Sequence, residues 1–574
     1  MKQSLFYLLV SLLFLTGCTM KTDFTVPVWH CIEIPFTVEK SYNNPLTGTE
    51  LCEMDVVFTH SDGSEINRPA FWDGANSFKV RFAPTKPGIW QYLTACKQDR
   101  SLDGIKGVIQ ADVYNGRLDV YKHGFLAISD SKRYFIHDDG KPFFYLGDTH
   151  WSLPFEAFES SNISGIESQF KHIVDTRIEQ GFTVFQSEPI QWENHTGQDE
   201  VYDLTTFNSE VLGGFVNLDR KFKYLADKGM VHANAQLFFA NELGIKREKY
   251  PDSYIEKLTR YWVARYGAYP VMWTCAQEVD NDFYFDRAND QRNFDAENNP
   301  WKIVAKSLYK YDAYRHPLTA HMEYASGEAL HDGHGTIAGN SSFKNIEGHN
   351  WYACQWSPSK KSQLDFRVPK DFWNSQPLKP TVNYEGQYDH FWTNTLGARM
   401  QGWTAFLNGM FGYGYGAAGI WLITNSYPDD LAGLYDLDRD TDAEITKEIK
   451  RMPWSRALLL PAAEQVGKHL RHFFESLDWW NLTPRFDDTE WSDLTGAYYS
   501  LATMENKVFV CYFYNPDTVT GKLKNMRPEK SYTAQWYDPR NGEYRRIGEI
   551  TPDTNGVWEI PAKPSDEDWV LLIN

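Results

Sequence analysis

Between residues 117 and 475, short apolar runs of strand length alternate with stretches of helical periodicity. This alternation constrains the fold more than any other feature of the chain. The strand candidates are Phe143–Gly147, Phe182–Gln186, Val231–Phe238, Val271–Ala276, Leu318–His321, Ile346–Asn350, Thr381–Glu385 and Gly419–Ile423. Amphipathic stretches such as IESQFKHIVDTRIEQ, KFKYLADKG and YIEKLTRYWVARY lie between several of them, and ALLLPAAEQVGKHLRHFFESL reads as a closing helix. A parallel strand cannot reach its neighbour through a tight turn, so each needs a crossover, usually a helix. Eight such units predict a closed (β/α)8 TIM barrel.

The flanks have a different grain. Residues 24–116 hold short β-rich runs (TVPVWHCIEIPF, MDVVFTH, SFKVRFAP, GIWQYLTAC) separated by turn-forming segments such as SDGSEINRP and PTKPG. Residues 476–574 return to this pattern with GAYYSLATM, KVFVCYFYN, YTAQWYDP and WVLLIN. The expected architecture is multidomain: a leader at 1–18, an N-terminal β-sandwich at 24–116, the barrel at 117–475 and a smaller C-terminal β-sandwich at 476–574.

The leader has Lys2, an apolar stretch from Leu5 to Leu15, and then Leu15-Thr16-Gly17-Cys18. The stretch is too short to span a bilayer comfortably and reads as a signal peptide. Small residues before a cysteine resemble the bacterial lipobox, which implies cleavage before Cys18 and lipidation of its thiol. The expectation is an exported lipoprotein, periplasmic or anchored at the outer membrane or cell surface by its lipid alone. The other six cysteines are scattered without C-x-x-C or zinc-type spacing. Export permits disulfides, but the spacing establishes none. Cys275 and Cys354 fall in apolar runs, as buried thiols do.

A net charge of −19 with no long Lys/Arg stripe speaks against nucleic acid as a partner. Aromatic residues make up 16% of the chain, with 21 Trp, and aromatic faces match the apolar C–H faces of sugars. No GxGxxG follows a strand, and neither a P-loop nor G-x-S-x-G is present, so nucleotide and serine-hydrolase chemistry find no support. His331-Asp332-Gly333-His334 reads as a polar loop rather than a metal site. The alternating Asp436, Asp438, Asp440 and Asp442 lack the glycine and glutamate of a calcium loop, with Thr441 and Lys447 in their places. No metal or cofactor is expected.

Active residues of a (β/α)8 barrel sit at the C-terminal strand ends. Those ends offer Asp148, His150 and Trp151 on the first strand, and Gln186, Glu188 and Trp192 on the second. Gln236 ends the third; Gln277, Glu278 and Asp280 end the fourth; His321 and Glu323 end the fifth. His349, Trp351 and Tyr352 end the sixth, Tyr384, Glu385 and Asp389 the seventh, and Trp421 the eighth. Two carboxylates at the ends of strands four and seven suit glycosidic cleavage, which needs a carboxylic acid at the leaving oxygen and a carboxylate opposite it. Glu278 and Glu385 are the catalytic candidates, with Asp280 the second choice for the acid. Asp148, His150, Gln186, Gln236, Gln277, His321, His349 and Tyr384 are the candidate binders of sugar hydroxyls; Trp151, Trp192, Trp351 and Trp421 are candidate stacking platforms. A non-catalytic glycan-binding lipoprotein would keep the aromatic rim without needing both carboxylates. A polysaccharide lyase would call for a Tyr or His base and a partner for a uronate.

GKPFFYLGDTHW, RYGAYPVMWTCAQE, NYEGQYD, RMQGWTAFLNGMFGYGYGAAGIW and HLRHFFESLDWW together resemble the apiosidase-like family of glycoside hydrolases, whose barrels look like those of clan A. The front segment, with EIPF and RPAFWDGANSFKVRFAPTKPGIWQY, resembles the sandwich fused ahead of such barrels. The tail, with WYDPRNGEY and DWVLLIN, resembles a small sandwich labelled collagen-binding in relatives. The resemblance implies Glu278 as acid/base and Glu385 as nucleophile. Clan A enzymes usually carry Asn before the acid, whereas Gln277 stands here, and no particular sugar is carried over.

Overall fold

The computed structural model describes residues 22–189, 204–205, 207–235, 243, 249–275, 279, 300–324 (backbone alone for 322–324), 345–357, 366–391, 393–421, 423, 453–495, 498–514 and 518–574. Eight parallel strands close on themselves in chain order: β1 (Tyr145–His150), β2 (Val184–Ser187), β3 (Val231–Ala235), β4 (Val271–Cys275), β5 (Leu318–Tyr324), β6 (Tyr352–Gln355), β7 (Thr381–Glu385) and β8 (Gly412–Tyr415). Helices α1 (Gln169–Glu179), α2 (Ser209–Asp227), α3 (Asp252–Tyr266), α4 (Trp301–Tyr311), α5 (Arg367–Asn374) and α6 (Thr395–Leu407) follow strands one to four, six and seven. Strands covered on both faces lose the polar half of the usual alternation. That is why β3, β4 and β7 are buried at every residue.

The expected barrel is present, with two strands displaced from their expected places. The sixth lies at Tyr352–Gln355, beyond the expected Ile346–Asn350, and the eighth at Gly412–Tyr415, before the expected Gly419–Ile423. Glycine disguises β8, because glycines weaken strands in general. Here the barrel seam requires them: a Cβ on Gly414 would stand 2.0 Å from the Tyr384 carbonyl oxygen, and one on Gly412 2.8 Å from Val382. A three-stranded sheet (residues 126–128, 135–137 and 142–143) sends Phe135 against Tyr145 and Trp351 at the N-terminal end of the lumen.

Ahead of the barrel, a five-stranded sheet and a three-stranded sheet face each other. Phe58 of one stacks on Phe82 of the other, with centroids 3.9 Å apart. This sandwich is clamped to α3 by buried charges. Asp219 of α2 accepts from Arg81 of the sandwich at 3.0 and 2.7 Å and from Arg265 of α3 at 2.8 and 2.7 Å. Arg265 also reaches Asp73 at 2.9 Å, and Arg68 donates to the Val263 carbonyl at 2.8 Å. On the other flank a six-stranded sheet packs on α6, where Arg399 grips Asp568 through two bonds of 2.8 and 2.7 Å. Among the described residues, no helix is long and apolar enough to cross a membrane.

Burial pushes the Asp219 carboxyl up, but Arg265 and Arg81 outweigh it and hold the group down at about 2. The clamp's stabilisation is therefore complete above the unfolded value of about 3.9 and is lost as pH falls through about 2. Asp219→Ala leaves two buried guanidinium groups facing each other and is expected to cost about 3–5 kcal/mol in urea unfolding. The acid-dependent loss between roughly pH 4 and pH 2 should shrink in the variant.

Candidate active site

Side chains alternate across a strand, so each barrel strand divides its residues between lumen and helix layer. On β1 the odd-numbered residues face inward. The Tyr145 hydroxyl donates to Gln186 Oε1 at 3.0 Å, and Gln186 Nε2 donates to Thr149 Oγ1 at 3.2 Å and to the Tyr384 carbonyl at 2.8 Å. Beyond β1, the inward Trp151 donates from Nε1 to Glu385 Oε1 at 3.2 Å and to the Tyr388 hydroxyl at 2.6 Å.

Glu385 ends β7 and is the centre of this cluster. Tyr388 donates to the same Oε1, and Gln355, the last residue of β6, donates from Nε2 to Oε2 at 2.8 Å. Val382 and Tyr384 pack in the lumen core, so plain alternation would send Glu385 outward. A register shift prevents this: Cys354 pairs with Asn383, but the next residue, Gln355, pairs with Glu385. Such a bulge re-aims a side chain. Gly386 then allows the tight return that brings Tyr388 back, since a Cβ there would lie 2.1 Å from Gln401 Oε1. That oxygen accepts the Gln387 N–H at 2.7 Å and fixes the loop.

His321 of β5 places Nε2 3.3 Å from Glu385 Oε2, a spacing at which a charged imidazole would make an ion pair. Burial lowers His321 to about 3, so the ring is neutral and the contact is not an ion pair. Glu188, buried just beyond β2 on the side of Gln186, is a second carboxylate at this end of the barrel. Burial raises the Tyr384 phenol, and the charges of Glu385 and Glu188 raise it further, which puts both carboxylates within electrostatic reach of that ring. Trp421 stacks on Tyr388 with centroids 4.8 Å apart and completes an aromatic wall over Glu385.

Of the expected site residues, the fold gathers Glu385, Trp151, His321, Tyr384 and Trp421. Others it places elsewhere. Asp148 and His150 point into the helix layer: Arg177 of α1 donates to Asp148 Oδ2 at 2.6 Å, and His150 sits 2.8 Å from that oxygen and 2.7 Å from Glu156. His150 stacks on Phe185 at 4.0 Å and has no exposed surface. Their even-numbered places on β1 make them structural, which corrects the sugar-binding expectation. Gln186 is inward but committed to the three bonds above. His349 and Trp351 precede β6 and therefore lie at the opposite mouth. His349 bridges Leu318 at the start of β5 and meets Lys379 at 2.7 Å, and Trp351 packs on Phe135. Glu278, Gln277, Asp280, Trp192, Gln236, Cys18, the histidines of 331–334 and the aspartates of 436–442 lie outside the described residues. Among the described residues, no group of three or more His, Cys, Asp or Glu is placed to hold a metal.

Gln355 and Tyr388 were missing from the sequence reading of the site. Gln355 was hidden by the misplaced sixth strand. Tyr388 lies three residues past Glu385, and its return depends on the Gly386 turn.

A closed parallel barrel hosts many chemistries, and the active sites built on it lie at the C-terminal strand ends, where Glu385 is held. The chain belongs to the apiosidase-like family: the model of its catalytic domain matches residues 129–481, more than half of the length, and makes the protein a glycoside hydrolase. A domain of unknown function, DUF5060, matches residues 25–97, and a domain described as collagen-binding, of a collagenase, matches residues 492–574. Among solved structures, a glycoside hydrolase family 5 protein from Bacteroides vulgatus ATCC 8482 superposes with a TM-score of 0.60 at 18% identity, covering 79% of this chain and 93% of its own. A second protein of that organism, assigned to the glycoside hydrolases, gives 0.63 at 15% identity, covering 96% of this chain and 100% of its own. No curated protein matches the chain.

Burial alone would lower His150, but Glu156 and Asp148 reverse this and raise it to about 9. Stability from this buried network is complete below the unfolded value of about 6.5 and is lost as pH rises through about 9. The expected loss is up to about 3 kcal/mol across that window, measured by urea unfolding as a function of pH, and His150→Gln should remove the dependence.

Proposed function

We propose that the protein hydrolyses glycosidic bonds in plant or host polysaccharide fragments by a retaining mechanism, with Glu385 as nucleophile and Glu278 as acid/base. The observation that carries this reading is the anchoring of Glu385, whose two oxygens accept from Trp151, Tyr388 and Gln355. Charge-assisted hydrogen bonds of this kind stabilise a carboxylate anion and fix its direction of attack. The neutral His321 beside it brings no competing positive charge.

In the first step a Glu385 oxygen bonds to the anomeric carbon while the bond to the leaving oxygen breaks. The Glu278 carboxyl gives its proton to that oxygen. In the second, the Glu278 carboxylate takes a proton from water as the water oxygen bonds to the anomeric carbon, and the Glu385 ester bond breaks. This sequence calls for carboxyl groups about 5–5.5 Å apart. Trp421 offers the sugar an aromatic edge, and Trp192, Gln236 and Gln277 remain proposed sugar contacts. We further propose that the chain is exported and anchored through a lipid on Cys18. Replacing Cys18 by Ser is then expected to shift the protein from the membrane fraction to the soluble exported fraction on cell fractionation.

The test is hydrolysis of a panel of aryl glycosides and oligosaccharides by wild type, Glu385→Ala, Glu278→Ala and Glu188→Gln. Both alanine variants should lower kcat/KM at least about 10³-fold on any substrate cut. The first product should keep its anomeric configuration by NMR. Activity retained in Glu385→Ala sinks the nucleophile assignment. Activity retained in Glu278→Ala but lost in Glu188→Gln moves the acid role to Glu188.

A further inference from the structure

We propose that Cys52 and Cys96 are joined by a disulfide in the mature protein, stapling the N-terminal sandwich beside its junction with the barrel. Their sulfurs lie 3.7 Å apart, the only cysteine–cysteine contact among the described residues. Cys52 precedes the strand Met54–His60 by two residues, and Cys96 ends the strand Gly88–Cys96. These strands pair antiparallel with Met54 opposite Cys96. The pairing therefore sets Cys96 beside the segment that leads into the neighbouring strand, where the two sulfurs already touch; a disulfide closes them to about 2.0 Å. Among the described residues no group of three or more His, Cys, Asp or Glu could hold a metal, and both thiols are buried.

Both thiols are buried in the folded sandwich, so the bond forms during folding, while they are still open to solvent. One of the two, as a thiolate, bonds to one sulfur of an external disulfide oxidant, such as oxidised glutathione or an oxidised dithiol protein, and expels one oxidant thiolate. The other thiol then loses its proton to solvent and attacks the protein sulfur of that mixed disulfide, expelling the oxidant's second sulfur as a thiolate. Two protein thiols are oxidised to one disulfide, and one oxidant disulfide is reduced to two thiols.

The staple's position gives it a consequence. Two and three residues beyond Cys52, the Met54 carbonyl and the Asp55 carboxylate both accept from Arg260 of α3 at 2.9 Å. A bond at Cys52 fixes the start of the strand that makes this contact with the barrel. It also closes a long loop in the unfolded chain, where cross-links restrict most.

The test uses the full chain refolded with oxidised glutathione, alkylated without reduction, digested and mapped by mass spectrometry. The expected result is one linked peptide containing Cys52 and Cys96, about 2 Da lighter than the two thiol peptides together, with Cys31, Cys275, Cys354 and Cys511 alkylated after denaturation. Reductant should lower the melting temperature by roughly 5 °C. Cys52→Ser with Cys96→Ser should melt like the reduced wild type and ignore reductant. Alkylation of both Cys52 and Cys96, or linkage of either to another cysteine, overturns the proposal. Should the double variant fail to fold, the wild-type peptide map still decides.

Discussion

Closing a sheet into a barrel forces every strand to face two environments, a narrow lumen and a shell of helices, and the rest of this structure depends on that constraint. Successive residues on one strand cannot share a task. Thr149 reaches into the lumen while its neighbours Asp148 and His150 join Arg177 and Glu156 behind the strand. The same parity stacks Tyr145, Gln186 and Tyr384 into a packed layer beneath Glu385. The candidate site rests on this filled floor rather than on an open pore.

The site departs from strict alternation at the residue the proposed chemistry needs most. The bulge between β6 and β7 turns Glu385 inward next to Tyr384, so two consecutive residues serve the same end of the lumen. Gly386 and the Gln401 amide then hold the loop that returns Tyr388. A local irregularity is supported by regular elements on both sides, because α6 carries Gln401 and also packs against the C-terminal sheet through Arg399 and Asp568. The flanking domains brace the barrel through buried charge pairs. Such pairs contribute positional specificity more dependably than net stability.

Much of the architecture was legible in the sequence. The change from short-strand grain to strand–helix alternation marks the three folded regions, and Thr381–Glu385 matches the expected seventh strand end to end. The misplaced strands show the limit. The glycines of Gly412–Tyr415 weaken its strand signal, and the seam between β7 and β1 explains them because it excludes a Cβ at Gly412 and Gly414. The sixth strand is only four residues long, and the apolar signal of Ile346 drew the expectation to the wrong mouth of the barrel. That error carried His349 and Trp351 into the expected site and left Gln355 out.

The sequence by itself determined the kinds of element, their order and the presence of a glutamate where β7 ends, because periodicity and strand-end chemistry are local properties of the chain. The tertiary structure alone decided which polar residues meet. Inward or outward aim depends on register between neighbouring strands, and a shift of one residue reverses it. It also brought together residues as distant in sequence as Trp151, Gln355 and Glu385, whose hydrogen bonds exist only once the barrel has closed.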